Sequence, residues 1–249
     1  MSKLLRLALD RHGGHERWEH LHSITATATA GGALFASKGR PHGLGTVHAV
    51  ADVTAPRLTY TPFQRAARGV FEPEHVSLIR KDGTEHHRDN PRETFANLTP
   101  DSAWDDLHLL YFTGCAMWNY LCAPFYLTWP GVDTDEIEPW TERDQTWRRL
   151  RVTFPRHMPT HGREQVFYFD ETGLLRRLDY APEVLGSPVV AHYCDDYQIF
   201  SGLLMPTRRR VYLRRDDGSP DLDVTVVELD IENILITPPE GTPTSIPSR

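Results

Sequence analysis

Read from the N-terminus, the hydrophobic positions of this chain change period twice. Leu4, Leu5, Ala8 and Leu9 recur at helical spacing, as do Trp18 and Leu21, with Gly13-Gly14 between the two sets. This predicts a helical region over Ser2–Asp10 and Gly14–Leu21, bent at the glycines and docked by one face on a sheet. From Ser23 the period shortens to two. Ser23–Phe35, Thr46–Val53, Arg57–Pro62, Arg68–Phe71 and His75–Arg80 are short runs rich in Thr, Val, Ile and aromatic residues. Turn signals at Gly31-Gly32, Gly39, Ala55-Pro56 and Asp82-Gly83 separate them, so they read as an antiparallel meander. Beyond Pro130 the alternation resumes in Glu136–Pro139, Thr146–Phe154, Gln165–Asp170, Leu174–Ala181, Val189–Phe200, Thr207–Arg214 and Val224–Ile236, with hairpin turns at Asp170–Leu174 and Asp216-Asp217-Gly218. The total is roughly eleven strands, a number that calls for a large and strongly curved sheet.

Between the two strand-rich halves lies a segment of a different kind. Leu107 to Val132 contains no Asp, Glu, Lys or Arg, although 24% of the chain is charged. Asn90-Pro91 opens a loop-to-helix region, Thr99 or Asp101 is the expected cap, and a helix over about 101–123 follows, ending before Pro124 because the residue before a proline is pushed out of the helical region. A helix without charges must be buried on nearly all sides. The fold class expected is therefore mainly β (α+β): one strongly curved antiparallel sheet forming an incomplete β-barrel, with helices covering its concave face. The expected domain is single, over 1–236, with a loose tail over 237–249 where prolines and small polar residues cannot pack.

The formal net charge of −7 opposes an extended nucleic-acid footprint, which needs clustered positive charge. Arg208, Arg209 and Arg210 form the one basic run of interest. On a strand it divides between both faces, so a solvated role is expected, with an anion-contacting arginine as the alternative. The N-terminal apolar stretch is too short for a signal-peptide core, and three cysteines leave at least one unpaired; both point to the cytoplasm. Cys115 and Cys122 stand roughly 10 Å apart along a helix, beyond disulfide reach. The uncharged run is long enough for a membrane span, but Pro124, His108 and Asn119 make a buried helix the better reading, and no transmembrane span is expected.

Thirteen histidines raise the question of a metal. His157 and His161 are four apart, but Pro155 and Pro159 exclude a helix there. His12, His15, His20 and His22 do not form HExxH, and His86-His87 sit in an apparent loop, so no metal site is expected. The chain has no GxSxG elbow, and Gly43-Leu-Gly45 is not part of a nucleotide loop, so no cofactor is implied. The polar groups of interest lie where a cavity would be. His108, Phe112, Cys115, Asn119 and Cys122 form one stripe of the helix, and Tyr111, Gly114, Trp118 and Leu121 the next. With Phe125 beyond the helix, Tyr111, Phe112, Cys115, Trp118, Asn119 and Cys122 are the candidate ligand-lining residues, and Trp118 and Phe125 are expected on the cavity wall. A second cluster, Asp179, Tyr180, His192, Tyr193, Asp195, Tyr197 and Arg210, comes from strands. His192 shares a face with Val190 and Cys194, and Tyr193, Asp195 and Tyr197 share the other. His192, His108 and Tyr180 are the candidate proton-transfer groups, because an imidazole exchanges protons near neutrality; ordinary hydrogen-bonding roles remain open for each.

The order HGGHERWEHLHSI, β meander, central helix, FYFDETGLLRRLDY, DDYQIFSGLLMPTRRRVYL and a last strand resembles bacterial proteins with the LolA/LppX-like lipoprotein-carrier fold, and looks closest to cytosolic relatives of that family. The resemblance implies an incomplete barrel wrapped around helices and an apolar hollow that takes acyl chains. The chain departs from the exported carriers in having no export signal or lipidated cysteine near its start. Three functions follow as expectations. The first is binding of a lipophilic or aromatic small molecule, or an acyl chain, in the cavity. The second is a cofactor-free cyclase or isomerase acting on a hydrophobic intermediate. The third is an interaction module forming a homodimer through the aromatic segment, with Tyr126 and Trp129 buried between copies.

Overall fold

Alternating apolar and polar residues build thirteen strands: β1 (Ser23–Gly31), β2 (Gly45–Asp52), β3 (Leu58–Thr61), β4 (Arg68–Glu72), β5 (His75–Ile79), β6 (Glu85–Asp89), β7 (Asp133–Glu142), β8 (Gln145–Thr153), β9 (Glu164–Phe169), β10 (Leu175–Tyr180), β11 (Val190–Phe200), β12 (Leu203–Leu213) and β13 (Val227–Thr237). The computed structural model describes residues 1–186 and 188–238. All thirteen strands pair antiparallel in one sheet, in the order β6-β5-β4-β3-β2-β1-β13-β12-β11-β10-β9-β8-β7. Two meanders are thus joined where β1 pairs with β13, Ala26 opposite Ile234. β6 and β7 remain as free edges, so the sheet is an incomplete barrel.

Two local expectations need correction. The run Ser23–Phe35 is not one strand: β1 stops at Gly31, and Gly32, with φ of 115°, turns the chain into a short helix, α3 (Ala33–Ser37). A Cβ on Gly32 would lie 2.6 Å from the Val226 carbonyl oxygen, so both the turn and the close approach require glycine. His86 and His87 are not in a loop but on edge strand β6, which is too polar to show alternation. The expected tail beyond Pro238 lies outside the described residues, and Thr237 is the last residue of β13.

At the N-terminus α1 (Lys3–Arg11) is capped by Ser2 and buries Leu4, Leu5, Ala8 and Leu9. It is followed after Gly13-Gly14, both at positive φ, by α2 (His15–Glu19). The helices sit at the end of the barrel formed by the β9–β10 and β11–β12 hairpins. Gly173 of the first hairpin touches Leu7, and the His12 carbonyl accepts the Leu204 N–H of the second at 3.1 Å.

The chain travels from edge β6 to edge β7 through the concave side, and this crossing carries α4 (Asp106–Cys122). The helix starts later than either expected cap: Asp105 accepts the His108 N–H at 2.8 Å. It ends at Ala123, whose extended backbone precedes Pro124 as the sequence predicts. Every residue of α4 except Asp106 and Tyr120 is buried. The helix does not lie midway across the trough. It packs against β2, β3, β4 and β5, where Gly114 approaches Phe71 so closely that a Cβ would lie 2.5 Å from the Phe71 side chain. On that side Tyr60 donates its hydroxyl to the Thr113 carbonyl at 2.9 Å.

Candidate functional site

Because α4 leans on one meander, a gap is left between it and the other. The gap is a cavity of about 350 Å³. Phe112, Thr113, Ala116, Met117 and Tyr120 of α4 form one wall; Tyr180, Val190, Val211 and Leu229 of β10 to β13 form the opposite one. The spacing of the α4 residues, 112, 113, 116, 117 and 120, is that of one helix face. Leu34 and Phe35 of α3 and Pro182 and Leu185 after β10 narrow the entrance. On the rim Leu213 and Val224 are 44% and 52% exposed, an unusual state for residues facing an apolar hollow unless that hollow is open there. Few polar groups reach the cavity. Lys38 stands at the mouth with its ammonium on the Pro100 carbonyl. Tyr120 and Tyr180 stand at the inner end, their hydroxyls 3.3 Å apart.

Behind this tyrosine pair is a second, much smaller space of only about 10 Å³. Its surface is mostly apolar, from Ala123, Tyr126, Leu178 and the two tyrosine rings, and the other side chains at it are Asn119, His161, Gln165 and Arg209. Arg209 is 2% exposed. Its guanidinium donates to the Tyr120 carbonyl at 2.8 Å, to Cys194 Sγ at 3.0 Å and to His192 Nε2 at 3.3 Å, and lies 4.8 Å from the centre of the Tyr120 ring. Nε has no partner, and none of the ion pairs formed among the described residues includes Arg209. Asn119 Oδ1, His161 Nε2 and His192 Nδ1 are also buried without partners. Burial drives the His161 imidazole down to about 3 and the nearby Arg92 adds to this. Burial first, then Arg209 and His161, holds His192 well below the usual imidazole range. Both rings are therefore held in the neutral form at pH 7, by burial first and by neighbouring cations second.

The sequence-predicted residues divide between these spaces and the solid core. Phe112 and Tyr180 line the cavity, and Asn119 borders the small space behind it, donating to the Cys115 and Pro159 carbonyls at 2.8 Å each. Trp118 and Phe125, expected on the cavity wall, are instead in the solid core. Trp118 donates to the Asp52 carbonyl at 2.9 Å, and Phe125 stacks on Trp18 at 4.3 Å. Cys115 and Cys122 are fully buried filling on the packed side of α4, where burial pushes their thiols up, that of Cys115 to about 12. Tyr111 faces Phe71 and Phe95 and receives Arg92 at 3.3 Å. His108 belongs to the start of α4, outside the cavity lining: its Nδ1 lies 2.8 Å from Asp105 Oδ1 and its Nε2 3.2 Å from Thr94 Oγ1. His192 does face inward, but it touches Tyr120 and Arg209 and does not line the cavity. The expected common face of Tyr193, Asp195 and Tyr197 is broken at Asp196, whose φ is 52°. Tyr193 bonds to Glu142 on the convex side, while Tyr197 packs edge-on against His12.

Residues missed by sequence reasoning are His161 and the cavity face of α4 itself, Thr113, Ala116, Met117 and Tyr120; Arg209, expected in a solvated run with an anion contact as the alternative, is buried. A signal for Arg209 was present: it is two residues from Val211, so an inward Val211 requires an inward Arg209. On an apolar-all-round helix no periodicity marks which face meets a cavity.

A different buried arginine lies on the convex side. Arg177 has no exposure; its guanidinium grips Asp179 by two bonds of 2.6 and 2.8 Å, Glu142 at 2.6 Å and the Gly218 carbonyl at 2.7 Å. Tyr168 and Arg214 complete Asp179, and the Trp140 ring covers the cluster.

No family model matches the sequence, and no curated protein matches it significantly. Solved structures do. A LolA superfamily protein from Nitrosomonas europaea aligns over 93% of this chain and 91% of its own, at 9% identity and a TM-score of 0.50. A DUF1329 family protein from Desulfovibrio piger aligns over 97% and 96%, at 12% identity and a TM-score of 0.46. The lipoprotein LppX from Mycobacterium tuberculosis aligns over 92% and 94%, at 10% identity and a TM-score of 0.29. The fold is that of the LolA-like incomplete barrels, as the order of elements in the sequence implied.

Proposed function

We infer that this chain binds a lipophilic small molecule or acyl chain in the cavity between α4 and strands β10 to β13. The observation that carries this reading is the cavity itself: about 350 Å³ of almost wholly apolar space, opening between exposed rim residues. Its size falls in the range of small-molecule sites, roughly 300–1,000 Å³. Side chains filling such a hollow would stabilise the fold by several kcal/mol, at about 24 cal/mol per Å³, so a space left open is a cost that ligand binding offsets. The cytoplasm is the proposed compartment, on the strength of three unpaired cysteines, all buried.

The geometry favours binding over catalysis. A proton-transfer enzyme needs a group in the cavity that titrates near neutrality. The two hydroxyls that meet there are unsuited to this: burial raises Tyr120 to about 12 and Tyr180 well above the ordinary phenol. Dimerisation through the aromatic segment is disfavoured as well, since Tyr126 is already 1% exposed within one chain.

Native mass spectrometry of protein purified from its own host, followed by denaturing extraction, tests the reading. The expected result is a released lipophilic compound, and its displacement by a side chain that fills the hollow: Ala116→Phe should lower occupancy about tenfold or more, since the cavity loses much of its width at that wall. Protein that carries nothing and takes up no added dodecanol would remove the reading.

A further inference from the structure

We propose that the cargo is a lipid anion, a single acyl chain ending in a carboxylate, whose chain fills the apolar cavity and whose head group pairs with the buried guanidinium of Arg209. This rests on the cavity reading above and names the ligand class.

The argument starts from a charge without a counter-charge. A guanidinium stays cationic in proteins. Burying one without an anion is costly, because carbonyl, thiol and imidazole acceptors replace only part of the hydration it loses. Arg209 is in this state: its three partners are neutral, and its Nε makes no bond. The groups around it bring no carboxylate within ion-pair reach: Tyr120 and Asn119 come from α4, Tyr126 from the turn after it, His192, Cys194 and Tyr197 from β11, Gln165 from β9, Tyr180 from β10, His161 from the loop before β9 and His12 from the end of α1. His161 and His192 are held neutral and accept or donate without competing as cations. A bidentate carboxylate is the group whose geometry a guanidinium matches best.

Position supplies the second half. Tyr120 and Tyr180 line both the apolar cavity and the small space beside Arg209, so they are the partition between them. Their mutual bond is long, at 3.3 Å. The small space has room for about one water molecule, so a carboxylate enters only when the Tyr120 ring swings off the guanidinium. The carboxylate then takes the place of the ring over Arg209, and the freed hydroxyls of Tyr120 and Tyr180 remain near to donate to it. Head group inward and chain outward is the orientation that leaves the apolar rim at Leu213 and Val224 around the chain terminus.

The other cation near the cavity is Lys38, at the mouth and held by the Pro100 carbonyl. It defines the competing arrangement, head group outward, and the experiment separates the two. Isothermal titration of the delipidated full chain with dodecanoate and with dodecanol at pH 7.5 is the test. Wild type should bind the acid about tenfold or more tightly than the alcohol, the scale of one desolvated charge-assisted pair. Arg209→Gln should abolish that preference by weakening the acid alone, with the alcohol's affinity as an internal check that the cavity still folds. Lys38→Met should keep the preference. Equal wild-type affinity for acid and alcohol overturns the lipid-anion assignment while leaving the cavity reading intact. A preference lost in Lys38→Met and kept in Arg209→Gln overturns the inward orientation. Failure to bind either probe overturns the cavity reading itself. Should Arg209→Gln not fold, Tyr180→Phe, which removes one donor to the head group, must narrow the acid preference while leaving dodecanol binding unchanged, and an undiminished preference there counts against the proposal.

Discussion

The sheet buries one arginine on each of its faces, and the two are treated oppositely. Arg177, on the convex side, has two carboxylates, a carbonyl and a phenol around it, and every ionised group of the cluster is paired. Arg209, on the concave side, is almost equally buried and has no carboxylate within ion-pair reach among the described residues. The first arrangement is self-contained. It ties the tip of the β7–β8 hairpin, through Glu142 and Trp140, and the turn at Gly218 down onto the outer face. The second is incomplete, and it is incomplete behind the tyrosine partition at the inner end of the apolar cavity. A closed network fastens a structure; an open one leaves something for a ligand to complete.

Three measurements sharpen or break the comparison. Arg177→Met should have the largest effect on stability. It leaves Glu142 without a cation and Asp179 with Arg214 alone, a situation that costs about 3 kcal/mol, and chemical denaturation should show a midpoint shift of that size. A loss below about 1 kcal/mol would mean that the convex cluster is not the fastening described.

Acid should act next, and through the concave side. His161 titrates in the folded protein at about 3 and His12 at about 4, both lowered chiefly by burial. The ordinary histidine value of about 6.5 applies when the chain is unfolded, so between these limits the unfolded chain binds more protons. Stability is therefore full above about pH 6.5 and is lost as the pH falls through 6 and 5, at up to about 1.4 kcal/mol per pH unit for each such histidine. Replacing one of them should remove its share: His161→Gln should recover about 2 kcal/mol of the wild-type loss between pH 6.5 and 5, read by thermal unfolding at each pH. An unchanged slope in the variant would show that His161 takes up protons in the folded state.

The smallest effect is expected where intuition would place a large one. Arg209→Met removes a buried charge that has no counter-ion, and an apolar side chain of similar length replaces it. The stability change should stay within about 1 kcal/mol of zero, in contrast to Arg177→Met. A loss of several kcal/mol would mean that the carbonyl, thiol and imidazole contacts of Arg209 are themselves structural fastenings.

Much of the fold was legible because strands with one buried face alternate, and because the residues around Leu107–Val132 admit no exposed face. Ser2–Asp10, the Gly13-Gly14 bend, the end of α4 at Ala123 and the antiparallel meanders all follow from local chemistry. Strand β6 did not, since Glu85–Asp89 is an exposed edge with no apolar side to alternate. Neither did α3, where Gly32 interrupts a run whose composition continues to read as strand. The site was harder. A helix apolar all round gives no sign of which stripe touches a neighbour and which faces a hollow, because that depends on where α4 rests across the trough. Gly114 decides it: its missing side chain lets the helix settle on Phe71, and the stripe through Ala116 and Tyr120 is left facing space. Trp118 goes with the packed side, donating to Asp52 at the end of β2, and Phe125 is taken up by Trp18 of α2.

The central claim is that the hollow beside α4 holds an acyl chain, and its most direct test is a co-crystal with 12-bromododecanoic acid, located by the anomalous signal of bromine. The account predicts a single bromine peak near the rim at Leu213 and Val224, connected by continuous density past Met117 to a carboxylate on Arg209. Bromine found only on the outer surface, with the space between Ala116 and Val211 closed by side chains, would contradict it.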